Sequence, residues 1–471
     1  MILRRHLLPP LLLVGVLGAA CSSGDGDEGA EATTTDAPSS TSTTATSTST
    51  TSAPTSTTVV QADAASLDGR FDQILGWLNG RPLDESTFDV TFADEFRAQV
   101  THAQLMEVGT SFLPAGPWRT VGEDRSPDGN ALIARLSPSD GSDDLEMTLV
   151  VRSDAGARIE TLLFTPTVDI EPVGDIEVAL DELAALGELA VGAFDVGDAA
   201  CGAPLLGLDP ERQAPIGSAF KLWVLAAVVD AVGAGTLTWD AEVTIEDRFD
   251  SLPSGITQDD PAGSAQTVRT LAERMIAISD NTATDLLIDA VGRDAVEAAL
   301  VTAGHAAPEL NRPFLTTREL FVLKLDDAIR SDYLIADETG RRELLAGPVA
   351  DADLDALLPA AAAWTSPVDV DAAEWFASPA DLCRVLVRLA DDDEARAVLS
   401  IEPGALDEAG RWSYVGFKGG SEPGVLNLSW LVEDESGGRY VIAGSVWSTT
   451  DLIDETTAAF RLTEVRDLIA R

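Results

Sequence analysis

The chain has 471 residues, which is enough for two or three domains that each bury a core. It carries 31 Lys and Arg residues against 79 Asp and Glu residues, and the resulting formal charge of -48 repels nucleic acid. Only three histidines occur, and neither a CxxC nor a HExxH pattern is found. We therefore expect no nucleic-acid partner, no metal ion and no cofactor.

The first 21 residues resemble a bacterial lipoprotein signal. Arg4 and Arg5 precede an apolar run that ends in LGAAC, and this run is too short and too interrupted by proline to span a membrane. The resemblance implies that Cys21 becomes the lipidated N-terminus. An ordinary soluble export signal is the alternative. Residues 22–62 are mostly Ser, Thr, Gly, Ala and acidic, which predicts a disordered tether to the outer face of the cytoplasmic membrane.

Residues 63–170 predict a small α+β domain. Two segments, 67–80 and 92–113, have apolar residues at helical spacing, and three strand-like segments separated by turn sequences follow them. This order resembles the cystatin-like or nuclear-transport-factor-like cones that precede some actinobacterial serine hydrolases, the cephalosporin-esterase-like lipoproteins among them. No cluster of catalytic residues is found in this part of the sequence.

Residues 178–471 predict a second α+β domain. A strand hairpin near 188–208 and a strand-rich segment near 414–447 enclose a helix-rich middle from about 265 to 400. This arrangement predicts one antiparallel sheet whose first and last strands adjoin, with helices on both faces and a helical subdomain. Ligands would bind in a cleft between the sheet and the helices.

The helix predicted from Ser218 to about Val232 is expected to be buried, and yet it contains a lysine. Ser218 and Lys221 are three residues apart, so their side chains lie on one face. Their neighbours are apolar all round the helix, which predicts burial. Because burial lowers the pKa of an amine, Lys221 could act as a general base toward the Ser218 hydroxyl. A serine helix cap is the simpler interpretation of Ser218, but it does not explain a lysine on a buried helix.

Two further motifs follow. Ser279, Asp280 and Asn281 interrupt an apolar helix, and by themselves they are also typical of a helix cap. Lys418 lies in a predicted strand and is followed by Gly419, Gly420 and Ser421. Glycines at such positions let another backbone approach closely, although an edge-strand lysine beside a turn is the simpler interpretation.

The order SxxK, SDN, KGG resembles the class A β-lactamases and related penicillin-recognising serine hydrolases. The resemblance covers about 178–471 and implies a nucleophile at Ser218, a base at Lys221 and a proton donor to the leaving group at Ser279. It implies that Asn281 binds a substrate amide, and that Lys418 and the Ser421 hydroxyl, beside Gly420, bind a carboxylate. It also implies an oxyanion hole formed by the N–H groups of Ser218 and Ser421.

Two positions depart from the family pattern. Class A enzymes carry a glutamate in a Glu-x-x-Leu-Asn segment, whereas the matching segment 307–311 begins with Ala307, and Glu309 lies two residues later. Gly419 replaces a Thr or Ser, and we expect this to remove a hydroxyl that faces the cleft. The missing glutamate favours slow hydrolysis of an acyl-enzyme. In lacking both features, the chain resembles esterase-like relatives associated with cephalosporin-type acetyl esters.

The sequence therefore predicts a monomeric serine hydrolase, most simply a β-lactamase linked to antibiotic resistance, that acts on a small molecule. An esterase or a D,D-peptidase-like enzyme acting on a peptidoglycan-like substrate is the first alternative. A penicillin-binding sensor that stays acylated and a non-catalytic envelope module are the others. Cys201 and Cys383 could form a disulfide in an oxidising compartment or remain as two buried thiols.

Overall fold

The computed structural model describes residues 65–469 apart from 98–99, 113–114, 127–128, 142–143, 153–155, 167–169, 198–199, 253–254 and 402–410. The chain divides into two compact units at residues 167–168, here called the first and the second unit. The predicted lipoprotein signal with Cys21 and the predicted linker 22–62 lie outside the described residues. In the described part, no helix is both long and apolar enough to cross a bilayer.

The first unit consists of four helices followed by a four-stranded antiparallel sheet in the order β1-β2-β3-β4. The helices are α1 (Leu67–Leu78), α2 (Glu85–Thr91), α3 (Asp94–Arg97) and α4 (His102–Phe112). The strands are β1 (Trp118–Arg125), β2 (Ala131–Pro138), β3 (Leu145–Val151) and β4 (Ile159–Pro166). Buried and less buried residues alternate along β2 and β3, so the sheet packs one face against the helices.

The structure adds elements that the sequence pattern did not predict in this unit. The segment predicted as one helix over 92–113 forms α3 and α4, and β1 had no predicted counterpart. Strand β1 is an edge strand with mostly exposed side chains, which explains why it has no period-two apolar pattern.

The second unit has a five-stranded antiparallel sheet in the order β11-β12-β13-β5-β6. These strands are β5 (Glu188–Val196), β6 (Cys201–Leu208), β11 (Trp412–Glu422), β12 (Val425–Asp434) and β13 (Arg439–Trp447). Two small pairs are β7 (Ala214–Pro215) with β10 (Phe376–Ala377), and β8 (Glu242–Thr244) with β9 (Ala265–Thr267). Because β13 pairs with β5, the last strand of the sheet lies beside the first, as predicted.

Helices cover both faces of this sheet. Two of them, α5 (Ile176–Leu186) and α16 (Glu455–Ile469), pack on one face around Trp430 and Val446. On the other face lie α6 (Lys221–Gly233) and α14 (Pro379–Ala390). The remaining helices are α7 (Val268–Ala277), α8 (Asn281–Val291), α9 (Arg293–Thr302), α10 (Thr317–Leu325), α11 (Asp327–Ile335), α12 (Glu338–Leu344), α13 (Leu354–Ala362) and α15 (Asp393–Leu399). This arrangement agrees with the predicted mixture of an antiparallel sheet and helices.

A disulfide joins the edge strand β6 to helix α14. Cys201 at the start of β6 is bonded to Cys383, and their Cα atoms are 6.1 Å apart. The sequence left this pairing open. The two cysteines are 182 residues apart, and the loop that the bond closes contains helices α6 to α13, so the bond restricts the unfolded chain strongly.

We predict that replacing both cysteines by serine lowers the free energy of unfolding by about 2–4 kcal/mol, because the long loop is no longer closed in the unfolded state. Urea unfolding of parent and double variant, each with and without reductant, measures the difference. Reductant should destabilise the parent and leave the double variant unchanged. Equal stability of all four samples would contradict the prediction.

Candidate active site

The segment before Ser218 is fixed by main-chain contacts. Ile216 donates its N–H to the Trp375 carbonyl at 3.1 Å, which extends the pairing of β7 with β10. Gly217 follows with a φ of +47°, a conformation that favours glycine, and donates its N–H to Glu374 Oε1 at 3.0 Å. A 3₁₀ turn, Gly217–Phe220, then leads into α6. The predicted helix start at Ser218 is therefore a tight turn, and the α-helix begins at Lys221.

Two glycines let this turn and strand β11 come into close contact. A Cβ atom on Gly420 would lie 2.3 Å from Ser218 N, and one on Gly217 would lie 2.9 Å from Ser421 N. No side chain fits either position without moving the backbone. The close packing brings the backbone segments that carry Ser218 and Ser421 into contact, and the sequence predicted an oxyanion hole from the N–H groups of these two residues.

Lys221 is fully buried and lies at the centre of a polar cluster. Its Nζ atom donates to the Ser279 carbonyl, to Ser279 Oγ at 3.0 Å and to Asn281 Oδ1 at 2.7 Å. Ser279 adopts a φ of +57°, which turns its carbonyl and its hydroxyl toward the same amine. The side chains of the SxxK and SDN motifs are thus in direct contact.

Lys418 joins the same cluster from strand β11. Its Nζ atom donates to Ser279 Oγ at 3.0 Å and to its neighbour's carbonyl, Gly419 O, at 2.7 Å. The Ser279 hydroxyl therefore lies between two buried amines, at the same distance from each. Such a hydroxyl can receive a proton from one amine and pass another on.

Burial shifts both amines toward their neutral form. Desolvation, and next to it the positive charge of Lys418, lowers the pKa of Lys221 well below its ordinary value, although Asp280 and Asp285 oppose this. Desolvation alone lowers the pKa of Lys418 to about 7. A neutral Lys221 amine has a lone pair that can accept a proton, as a general base requires.

Among the described residues, no hydrogen bond joins Ser218 to Lys221. Ser218 is half-buried at the N-terminal end of the turn, whereas Lys221 donates to Ser279 and Asn281 instead. The structure thus brings Lys221, Ser279, Asn281 and Lys418 into direct contact, and it places Ser218, Gly420 and Ser421 together at the adjoining backbone. For Lys221 to take the Ser218 proton, one of its present acceptors must be released.

Asp280 has a structural role in the SDN motif. Its Oδ1 atom accepts the Ala283 N–H at the start of α8, and its Oδ2 atom accepts N–H groups of Ile256 and Thr257 and the Thr257 hydroxyl. The carboxylate therefore caps the helix and fixes the adjacent loop at the same time.

The 307–311 segment holds no carboxylate directed at the cluster. Ala307 donates its N–H to His305 Nδ1 at 3.1 Å, and Asn311 is bound to the backbone of Phe376 through both polar atoms of its amide. Glu309 is exposed. The buried His305 has a lowered pKa because of desolvation, and it fixes the loop. This turn therefore supplies no general base.

The expectation that Gly419 merely lacks a hydroxyl facing the cleft was wrong. A Cβ atom there would lie 2.9 Å from the Phe417 ring and 3.1 Å from Leu428. Both of these side chains pack on the sheet face that carries α5 and α16. The Phe417 ring occupies the space beside Gly419, so a glycine at this position lets the ring pack against the strand.

Sequence reasoning missed a second buried polar group beside the site. It consists of Glu374, which accepts the Gly217 N–H, and the ion pair of Lys324 Nζ with Glu422 Oε1 at 2.6 Å. The composition could have indicated this group, because the chain has only three lysines and two of them belong to the motifs. The three are Lys221, Lys324 and Lys418. All three are at most 4% exposed.

Comparison with known proteins agrees with the motifs. Residues 184–400 match the family model described as the β-lactamase enzyme family. The SxxK and SDN motifs lie within these matched residues. The match supports a β-lactamase-like serine hydrolase fold for this part of the chain. The third motif, 418–421, lies beyond the matched residues, and the tertiary structure adds it to the site.

Solved structures that resemble the chain include two β-lactamases and PBP-A. The β-lactamase from Sphaerobacter thermophilus is 20% identical, with 64% of this chain and 96% of that one covered and a TM-score of 0.44. The β-lactamase from Chitinophaga pinensis is 17% identical, with coverages of 62% and 97% and a TM-score of 0.44. PBP-A is 16% identical, with coverages of 62% and 94% and a TM-score of 0.42. No curated protein matches the sequence.

We predict that Gly420→Ala slows modification of Ser218 by a fluorophosphonate at least about 100-fold, because the added methyl group separates the two N–H groups that the sequence predicts as oxyanion donors. Gly233→Ala in α6 is the matched control, since nothing lies within 4 Å of a Cβ atom there. Stopped-flow or gel-based labelling measures both rates. A Gly420→Ala rate within threefold of the control would show that the contact is not needed.

Proposed function

We propose that the chain is a serine hydrolase that forms an acyl-enzyme at Ser218 and acts on β-lactams with slow turnover. The observation that carries this proposal is the Ser279 hydroxyl, which lies 3.0 Å from each of two buried amines, Lys221 and Lys418. The family match over 184–400 supports the class of reaction. The substrate itself is a proposal from the motifs.

Acylation follows from these groups. The neutral Lys221 amine accepts the Ser218 proton while Ser218 Oγ bonds to the lactam carbonyl carbon, and the N–H groups of Ser218 and Ser421 stabilise the resulting oxyanion. When the C–N bond breaks, the leaving nitrogen takes a proton from Ser279 Oγ. The Lys221 ammonium then returns a proton to Ser279, so the amine is neutral again. Lys418 and Ser421 bind the substrate carboxylate, and Asn281 binds its amide.

Deacylation is the slower step in this proposal. Ala307 offers a methyl group, Asn311 is engaged with Phe376, and Glu309 is exposed. Loss of a general base typically lowers a rate by about 100- to 10,000-fold. An esterase is the second candidate, because a neutral Lys221 could activate water toward the less demanding ester substrates.

We also propose that the protein is exported as a lipoprotein. Cys21 would carry the lipid anchor, residues 22–62 would form the tether, and the protein would act as a monomer outside the cytoplasmic membrane. The Cys201–Cys383 disulfide supports an oxidising compartment.

We predict that penicillin adds its own mass to the parent protein, that the adduct decays slowly, and that Ser218→Ala forms no adduct. Ala307→Glu should speed decay of the adduct, because a carboxylate at this position can activate water. Intact-protein mass spectrometry over time measures formation and decay, with Ala306→Glu as the matched control. Turnover by the parent at tens per second or more would overturn the slow-deacylation proposal. Absence of both an adduct and a hydrolysed product with penicillin, a cephalosporin and an activated ester would overturn the hydrolase proposal.

We predict that Cys21→Ala releases the protein from the membrane, because no lipid can then be attached. Fractionation of cells that produce the parent or the variant, followed by immunoblotting, measures the distribution. If the variant remains in the membrane fraction like the parent, the anchor lies elsewhere.

A further inference from the structure

Beside the catalytic cluster lies a second group of buried charges, made up of Glu374, Glu422 and Lys324. Glu422 directly follows Ser421, and Glu374 contacts Gly217, which directly precedes Ser218. The group therefore touches both backbone segments that present the proposed oxyanion donors. None of the proposed acylation steps uses it.

The contacts of Glu374 indicate that it positions the backbone and does not face a substrate. Its Oε1 atom accepts the Gly217 N–H at 3.0 Å, and its Oε2 atom accepts the Trp375 N–H at 2.5 Å. The residue is 4% exposed. Both oxygens are thus used to connect the end of the helical subdomain to the turn that carries Ser218.

The charges of the group balance only if one carboxyl group is protonated. Lys324 Nζ pairs with Glu422 Oε1 at 2.6 Å and also donates to the Val368 carbonyl at 2.7 Å. Burial, and next to it the charge of Glu422, raises the pKa of Glu374 to about 8. In the described structure Glu422 Oε2 is buried without a hydrogen bond, so the group holds more carboxylate oxygens than its one amine can pair with.

We propose that Glu374 is a positioning residue whose neutral carboxyl group holds Gly217, and through it Ser218, while the Lys324–Glu422 pair keeps the group free of net charge. Ionisation of Glu374 adds an unbalanced negative charge behind the oxyanion hole. There it opposes the negative charge that develops on the substrate carbonyl oxygen. The upper pH limit of acylation is set by this ionisation. The inference rests on the proposed acylation of Ser218.

Other charged or titratable groups near Glu374 do not supply this balance. Tyr333 and Arg341 line a small cavity together with Glu374. Burial raises the pKa of Tyr333 to about 12, so it stays neutral over the relevant range. Arg341 stacks over the Tyr333 ring at 4.7 Å and donates to the Tyr333 carbonyl at 3.2 Å.

The first test is the pH profile of Ser218 labelling by a fluorophosphonate, which has no carboxylate for Lys418 to bind. For the parent, we expect the rate constant to fall at least about tenfold between pH 7 and 9.5, with a midpoint near pH 8. Glu374→Gln should be slower at pH 7, because one of two N–H donors loses its acceptor, yet it should lack the alkaline fall. The ratio of parent to variant rates should therefore shrink about tenfold over this range.

A second variant separates charge from structure. Glu422→Gln removes the negative charge that opposes ionisation of Glu374, so the alkaline fall should move to lower pH by about one unit. Glu455→Gln is the matched control, because burial raises the pKa of Glu455 to about 7 in a helix on the other sheet face. It should leave the profile unchanged. A uniform loss at every pH in Glu374→Gln, together with a lower melting temperature, would indicate a purely structural role and overturn the proposal.

A readout without catalysis distinguishes failure of this inference from failure of the proposed function. The protein contains three lysines, so ¹⁵Nζ-lysine labelling of the full chain gives three amine signals that single lysine variants assign. The chemical shift of Lys324 Nζ should report the ionisation of Glu374 as a step near pH 8, and Glu374→Gln should abolish this step. If the step persists in this variant, the inference fails. If the step is lost as expected but the parent never reacts with the fluorophosphonate, the proposed function fails instead.

Discussion

The catalytic cluster depends on the burial of two lysine amines around one hydroxyl group. Lys221 and Lys418 both donate to Ser279 Oγ at 3.0 Å, and both are nearly inaccessible to water. Two ammonium groups this close would repel each other strongly, and burial would add a desolvation cost to each. The two amines can lie this close because their lowered pKa values allow them to lose a proton, which removes the repulsion. This property, which is costly in a structural residue, is what a general base needs.

The distribution of lysine and arginine in the chain is consistent with this role of buried amines. Arginine keeps its charge under nearly all conditions, whereas a buried lysine can become neutral. All three lysines are buried beside the candidate site, and the remaining 28 of the 31 basic residues are arginines. Arg274 and Arg293, for example, form ion pairs with Asp260 and Glu319 in the helical subdomain. The titratable amines are thus confined to the place where proton transfer is proposed.

The backbone around Ser218 is held from two directions. Strand β11 approaches it through Gly420, where even a methyl group would collide with Ser218 N. From the other side, Glu374 and the Trp375 carbonyl bind Gly217 and Ile216. The turn that carries Ser218 therefore lies between two elements, β10 and β11, that both follow it by more than 150 residues in the chain. Small shifts in either element would change the distance between the two proposed oxyanion donors.

The sequence by itself determined the main elements around the site and most of the candidate site. Apolar periodicity located α6 and the sheet strands, and motif order selected Ser218, Lys221, Ser279, Asn281 and Lys418 as one group, since each motif carries a local signature. Only the tertiary structure decided the contacts between distant segments. It formed the Cys201–Cys383 bond, directed the Gly419 position toward Phe417, and placed Glu374 behind Gly217. The physical reason is that hydrogen bonding and close packing across a fold depend on which chain segments meet, and no local periodicity encodes that meeting.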